Sequence, residues 1–249
     1  MAQQDSSYKS FIEQLAHVNS STFEDMAIEL FRYQVDKNPI YHKYTRYLGI
    51  RPGNITSLNK IPFIPVQLFK NHLLQTGEWN PELVFTSSGT TGSIPSRHPV
   101  RNLSDYLSNS ERLFTEAYDD PKAFHFFGLL PSYLERSGSS LITMVDHLHK
   151  KSGSSLGGFF LYNHEDLIDR INKARKDGKR KILLIGVTFA LLDLAEKGPI
   201  DLSDCIIMET GGMKGRRKEM TREEVHEALR LAFGVTHIHS EYGMTEMFS

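Results

Sequence analysis

The chain has 249 residues, 39% of them hydrophobic, and its 29 Lys and Arg nearly balance 30 Asp and Glu. That is enough apolar content for a sizeable core in one large domain or two small ones, and a net charge of −1 gives no general electrostatic reason to expect nucleic acid or an anionic membrane as partner. The single cysteine, Cys205, excludes an intramolecular disulfide and suits a reducing compartment. Met1 to Ser10 is polar, without an apolar signal core, and no stretch approaches the ~18 apolar residues of a membrane helix. A cytoplasmic protein with no membrane span and no nucleic-acid partner is the expectation.

The first 50 residues predict helices. Phe11, Ile12, Leu15 and Val18 fall on one face, and Phe23, Met26, Ala27 and Leu30 on the next. Ser21 with Glu24 has the spacing of a capping box. Pro39 and Pro52 interrupt, and the proline-spaced segment Ile61 to Phe69 reads as an extended connection rather than a regular helix. Beyond it the pattern alternates. Apolar runs at Leu83–Phe85, Phe124–Leu130, Gly158–Tyr162, Lys181–Val187, Cys205–Met208 and Thr236–His239 predict strands. Amphipathic stretches at Leu103–Tyr118, Leu141–His149 and Glu165–Ala174 predict helices between them. Val225, Ala228, Leu229, Ala232 and Phe233 form a further helical stripe, opened by Thr221 with Glu224 three residues on. Strand–helix alternation of this kind predicts an α/β fold with mostly parallel sheets flanked by helices. Residues 1–60 read as a helical N-terminal segment and 61–249 as the α/β part.

Two motifs point to chemistry. Thr86-Ser87-Ser88-Gly89-Thr90-Thr91-Gly92-Ser93 follows the apolar run Leu83-Val84-Phe85. Glycines there can turn backbone N–H groups toward an anion, and the hydroxyls add donors. The stretch lacks the Gly-Lys-Ser/Thr of a P-loop. Near the C-terminus stands Tyr242-Gly243-Met244-Thr245-Glu246, an aromatic face for a base, a hydroxyl for a phosphate and a carboxylate for a hard cation.

Together these stretches resemble the signature loops of the adenylate-forming (acyl-activating) superfamily. Ile61-Pro62-Phe63-Ile64-Pro65-Val66-Gln67-Leu68-Phe69-Lys70 and Leu130-Pro131-Ser132-Tyr133-Leu134-Glu135-Arg136 look like its acyl-protein synthetase branch, which activates fatty acids in bacterial luminescence. The resemblance implies a large N-terminal adenylation domain that uses ATP and Mg²⁺. Such a domain joins a fatty acid or other carboxylate to AMP for transfer to a thiol, with an acyl-reductase or acyl-carrier partner.

Residue by residue, it implies that Thr86, Ser87, Ser88, Gly89, Thr90, Thr91 and Gly92 hold the outer phosphates of ATP. Gly211, Gly212, Tyr242, Gly243 and Met244 would then line the nucleotide, with Tyr242 stacked on adenine. Thr245 would bond the α-phosphate and Glu246 would hold Mg²⁺, as the catalytic pair. Tyr133, Ser139 and Ser140 would line the acyl pocket. Relatives carry Pro-Lys after the phosphate loop where this chain has Pro95-Ser96-Arg97, and an arginine fork does not replace a lysine point charge. Family members also continue past the Thr-Glu pair with a ribose-binding Asp, a hinge and a small C-terminal domain carrying a catalytic Lys. The expectation is therefore a truncated form with that domain absent.

Alternatives remain open: an acyl- or aryl-CoA ligase, or a non-catalytic acyl- or nucleotide-binding subunit of an acyl-reductase complex. Three further readings come from the residues alone. Cys205, opening an apolar strand, reads as a buried, inert thiol rather than an acyl acceptor. Lys214, Arg216, Arg217 and Lys218 read as a solvated basic loop. His237 and His239, two apart on a predicted strand, would share a face as a minor candidate for a metal pair, with no third ligand in view.

Overall fold

The structure is a computed structural model that describes residues 6–15, 17–87, 94–130, 138–161, 163–211 and 218–247. The chain divides into two compact units, one drawn from Met1–Phe85 and Ile94–Asp105, the other from Thr86–Ser93 and Tyr106–Ser249.

The first unit opens with helices α1 (Ser6–Leu15), α2 (Phe23–Lys37) and α3 (Pro39–Tyr47). Asn38 separates α2 from α3. Its side-chain oxygen accepts from the Ile40 and Tyr41 amides, both at 3.1 Å, while Pro39 takes the first helical position, where no N–H is needed. Phe31 and Val35 of α2 close on Tyr41 and Ile55, with the Tyr41 ring edge-on to Phe31 at 5.9 Å. The capping box expected from Ser21 and Glu24 does not form. Thr22 precedes α2, Ser21 bonds Asn19 Oδ1, and the Glu24 carboxylate accepts from the Leu58 amide at 3.1 Å. A tertiary partner has displaced the local one. The segment from Ile61 is extended as expected, up to a single helical turn, α4 (Leu68–Asn71). Strands β1 (Leu83–Thr86) and β2 (Arg97–Val100) form a two-stranded sheet.

The second unit is built on a five-stranded, fully parallel sheet in the order β4-β3-β5-β6-β7. The strands are β3 (Phe124–Leu129), β4 (Gly158–Phe160), β5 (Lys181–Val187), β6 (Cys205–Thr210) and β7 (His239–Glu241). Parallel neighbours require crossovers, which are supplied by α6 (Ser140–Ser152), α7 (His164–Asp177), α8 (Thr188–Ala195) and α9 (Arg222–Phe233). Helix α5 (Leu103–Ala117) precedes the sheet.

Register and alternation sort the two faces. Phe124 and Phe126 of β3 meet Phe114 of α5, at 5.3 Å in both cases. Phe127 and Leu129 point the other way, toward the face where α7 and α8 pack. Every residue of β3 is buried, and only Lys181 of β5 is exposed, as expected of a strand covered on both faces. Counted within the sheet, the order is 2-1-3-4-5, the doubly wound arrangement, and the direction of winding reverses between β3 and β5.

Several elements match the sequence reading closely. β5 spans the predicted Lys181–Val187, and the capping box of α9 forms, with Thr221 Oγ1 accepting from the Glu224 amide and Glu224 from the Thr221 amide at 2.7 Å. Three elements differ. β6 runs two residues past Met208, β7 begins at His239 rather than Thr236, and α8 continues without a break from the apolar run of β5.

Gly186 lies where β5 meets α8. A Cβ there would stand 2.7 Å from Leu191 Cγ and 3.2 Å from Leu129 Cβ. Gly186→Ala should therefore cost about 1–3 kcal/mol by overpacking, read as a lower urea midpoint at unchanged slope. An unchanged midpoint would contradict this packing.

Candidate functional site

In a parallel sheet every strand delivers its following loop to the same edge, and in doubly wound sheets ligands bind outside that carboxyl edge. The sequence places the Leu130–Arg136, Gly211-Gly212 and Tyr242–Glu246 motifs after β3, β6 and β7, whereas Thr86–Ser93 begins at the end of β1 of the two-stranded sheet. Helices α6 and α8 also start at this edge, with the positive ends of their dipoles toward it.

The last register pair of β6 and β7 is Thr210 with Glu241. The Thr210 hydroxyl donates to Glu241 Oε2, locking the two strand ends together. Gly211 and Tyr242 are the residues that directly follow this last pair. Gly211 turns with φ of 76°, a left-handed value that favours glycine, and its carbonyl lies 3.3 Å from the Thr188 hydroxyl. The Tyr242 ring is 75% exposed, with its hydroxyl on Met244 Sδ at 3.3 Å. A Cβ on Gly243 would displace the end of the Glu241 side chain. Thr245 and Glu246 are half-buried in the turn that follows, where the Met247 amide bonds the Met244 carbonyl at 3.0 Å.

On the face of α8 and α9, Glu209 is 7% exposed with its oxygens satisfied. Thr188 donates to Oε2 at 2.9 Å, Ser240 donates to Oε1 at 2.7 Å, and His226 Nε2 lies 3.6 Å from Oε1. On the opposite face, burial pushes the pKa of Glu241 up, Glu209 adds to the shift and the Thr210 hydroxyl opposes it. Tyr106 of α5, buried on that side, donates to the Ser140 carbonyl at 3.1 Å. Burial first, with the charge of Glu241 contributing, raises its phenol to about 12. One residue before α6 stands Ser139, whose Oγ caps the Ile142 amide at 3.4 Å, and the Gly138 carbonyl accepts from the Thr86 amide at 2.8 Å.

Hydrogen bonds thus tie Thr86 to Gly138, Tyr106 to Ser140 and Thr210 to Glu241, and the charge of Glu241 is felt at Tyr106. Thr86 and Ser87 stand half-buried at the start of the hydroxyl-rich loop. Ser139 serves as a helix cap, a role that accounts for its hydroxyl without a ligand. Ser88, Gly89, Thr90, Thr91, Gly92, Tyr133 and Gly212 lie outside the described residues, as do Lys214, Arg216 and Arg217.

The residues that sequence reading passed over are Thr188, Glu209, Ser240, Glu241, His226 and Tyr106. Ending β6 at Met208 hid Glu209 and Thr210, although a carboxylate and a hydroxyl directly before Gly-Gly at a strand end are the available signal. The His237–His239 pair is corrected. β7 starts at His239, whose Nδ1 meets the Tyr118 hydroxyl at 2.8 Å, while His237 lies before the strand and is exposed. Cys205 is buried, and that burial pushes its thiol up to about 12, in keeping with an inert side chain.

Among the described residues no group of three or more His, Cys, Asp or Glu could hold a metal ion. Mg²⁺ bound through one carboxylate and phosphate oxygens needs no such cage, and Glu246 is a donor of the right hardness. Among the described residues no helix is long and apolar enough to cross a membrane. A cleft of the first unit is lined by Tyr8, Ile12, Arg101 and Asp105, among others. Tyr8 donates to Asp105 at 2.6 Å and the Arg101 guanidinium covers the Tyr8 ring at 4.2 Å.

No protein-family model, no curated protein and no solved structure matches this chain.

Glu241→Gln keeps an acceptor for Thr210 and removes the charge. With its folded pKa held above the unfolded value, Glu241 contributes stability that is complete at acid pH and is lost as pH rises through the folded pKa. The melting temperature of the wild type should therefore fall relative to the variant between the ordinary carboxylate range and neutral pH. A difference that does not change with pH would contradict this.

Proposed function

We propose that this chain supplies the nucleotide- and acyl-binding part of an adenylate-forming ligase of acyl-protein synthetase type. In the reaction a carboxylate oxygen of a fatty acid forms a bond to the α-phosphorus of ATP. The bond from that phosphorus to the bridging oxygen breaks, and pyrophosphate leaves with the electron pair. The acyl group then passes from AMP to a thiol. No protein nucleophile is required for the first step. What the protein must do is hold two anions in line and neutralise the charge that develops.

The observation that carries the reading is the emergence of Gly211 beside Tyr242 at the carboxyl edge of the parallel sheet. A glycine in the left-handed region leaves room for a nucleotide against the backbone, and an exposed aromatic ring next to it offers a stacking face for a base. The tie from Thr86 to Gly138 adds the start of the phosphate-type loop to the same structure. Thr245, three residues beyond Tyr242, would donate to the α-phosphate. Glu246 would hold Mg²⁺, whose charge would neutralise that of the phosphates. Tyr106, Thr210 and Glu241 position the strand ends without touching the reacting atoms.

Two substitutions separate the roles. Tyr242→Ala should weaken ATP and AMP alike, by the ~1–3 kcal/mol of a base–aromatic stack. Glu246→Gln should weaken ATP about tenfold or more in the presence of Mg²⁺, as expected for loss of a charged contact, and leave AMP without Mg²⁺ unaffected. Both can be read by calorimetry, with circular dichroism to establish the fold. Wild-type affinities in both variants would remove these residues from the site and the reading with them.

A further inference from the structure

The near-zero net charge conceals a stretch of one sign in the first unit. From Asn38 to Gly77 the chain carries Lys43, Arg46, Arg51, Lys60 and Lys70 and no Asp or Glu. All five cations are exposed, and among the described residues none of them forms an ion pair or hydrogen bond. Glu24 of α2 reaches this segment, but its carboxylate accepts from the Leu58 amide.

The same segment holds large apolar side chains clear of the core. Tyr47 at the end of α3 is 89% exposed and Phe63 is 81% exposed, with Leu48 and Val66 also open to solvent. Two tyrosines of α3 bring Phe63 near that helix. The Tyr41 hydroxyl donates to the Pro62 carbonyl at 2.7 Å and the Tyr44 hydroxyl to the Phe63 carbonyl at 3.1 Å, which straps residues 62 and 63 along α3. Tyr47 lies one turn beyond Tyr44, and Lys43 lies one turn before Tyr47 on the same ridge. Lys60 stands three residues before Phe63, at the end of a 3-10 turn. The strap is therefore rigidly held at its backbone while its Phe63 side chain protrudes. Burial does not explain that side chain, and neither does local hydrogen bonding.

We propose that this face of the first unit docks on an anionic phospholipid surface. Protruding aromatic rings flanked by unpaired Lys and Arg are the composition of an interfacial anchor. The rings enter the boundary between headgroups and acyl chains, and the cations pair with lipid phosphates. A specific protein partner would call for charges of both signs to fix register, and the segment from Asn38 to Gly77 offers one sign only. The inference does not depend on the acyl-activating reading, because no residue of the candidate site takes part in it.

The test is co-sedimentation of the whole chain with vesicles of phosphatidylcholine alone and of phosphatidylcholine mixed with phosphatidylglycerol, at low and physiological ionic strength. The wild type should bind the anionic vesicles, less so as salt rises, and should bind neutral vesicles much more weakly. Lys43→Gln with Arg46→Gln should reduce binding to anionic vesicles by about fivefold per charge. Tyr47→Ser with Phe63→Ser should reduce it at every salt concentration. All four side chains are exposed, so both double variants keep the fold, as a melting curve would show. Double variants that bind as the wild type does would overturn the proposal. So would anionic vesicles that leave the protein in solution at low salt, and an acidic protein would then be the class that these charges fit.

Discussion

Parallel pairing of β5 between β3 and β6 is the constraint from which the second unit follows. Because β5 is covered on both faces, its side chains are apolar from Ile182 to Val187, with Gly186 admitting Leu191 and Leu129. Because its neighbours run parallel, each connection must cross back through a helix. All following loops then emerge at one edge. The polar groups that would be costly inside the sheet accumulate there, where Thr188, Glu209, Thr210, Ser240 and Glu241 satisfy one another across strand ends. A buried carboxyl such as Glu209 is tolerable only because two hydroxyls donate to it.

This arrangement gives the strand ends two separate polar locks, one on each face of the sheet. Glu209 with Thr188 and Ser240 fastens β6 to α8 and β7 on one side. Thr210 with Glu241 fastens β6 to β7 on the other, under Tyr106. Gly211 and Tyr242 each directly follow one of these locked strand ends. Unpaired cations and protruding rings of the first unit show the opposite physics, because among the described residues nothing pairs with or covers them.

The apolar interior of the sheet was legible in the sequence because strands buried on both faces are written as continuous hydrophobic runs, as at Lys181–Val187. Strand ends were harder. Glu209 and Thr210 are polar, so composition ended β6 too early, whereas register with β5 and β7 extends it. The short edge strand β7 has no hydrophobic signature of its own, and its start was misjudged for that reason. Capping boxes show the limit of local reasoning. Thr221 with Glu224 forms one, and the same spacing at Ser21 with Glu24 does not, because the Leu58 amide competes for the carboxylate. Of the candidate site, Gly211 and Tyr242 were legible as motif residues. The side chains that align them, Tyr106, Thr188 and Glu241, belong to other elements and needed the fold.

The central claim is that the carboxyl edge of this sheet receives an acyl-adenylate. Its most direct test is a calorimetric titration of the folded chain with non-hydrolysable acyl-adenylate analogues of increasing acyl length. The account predicts binding that tightens with length, by up to ~0.8 kcal/mol for each methylene buried, until the pocket is filled. Failure of every analogue to bind a folded chain, or an affinity indifferent to acyl length, would contradict it.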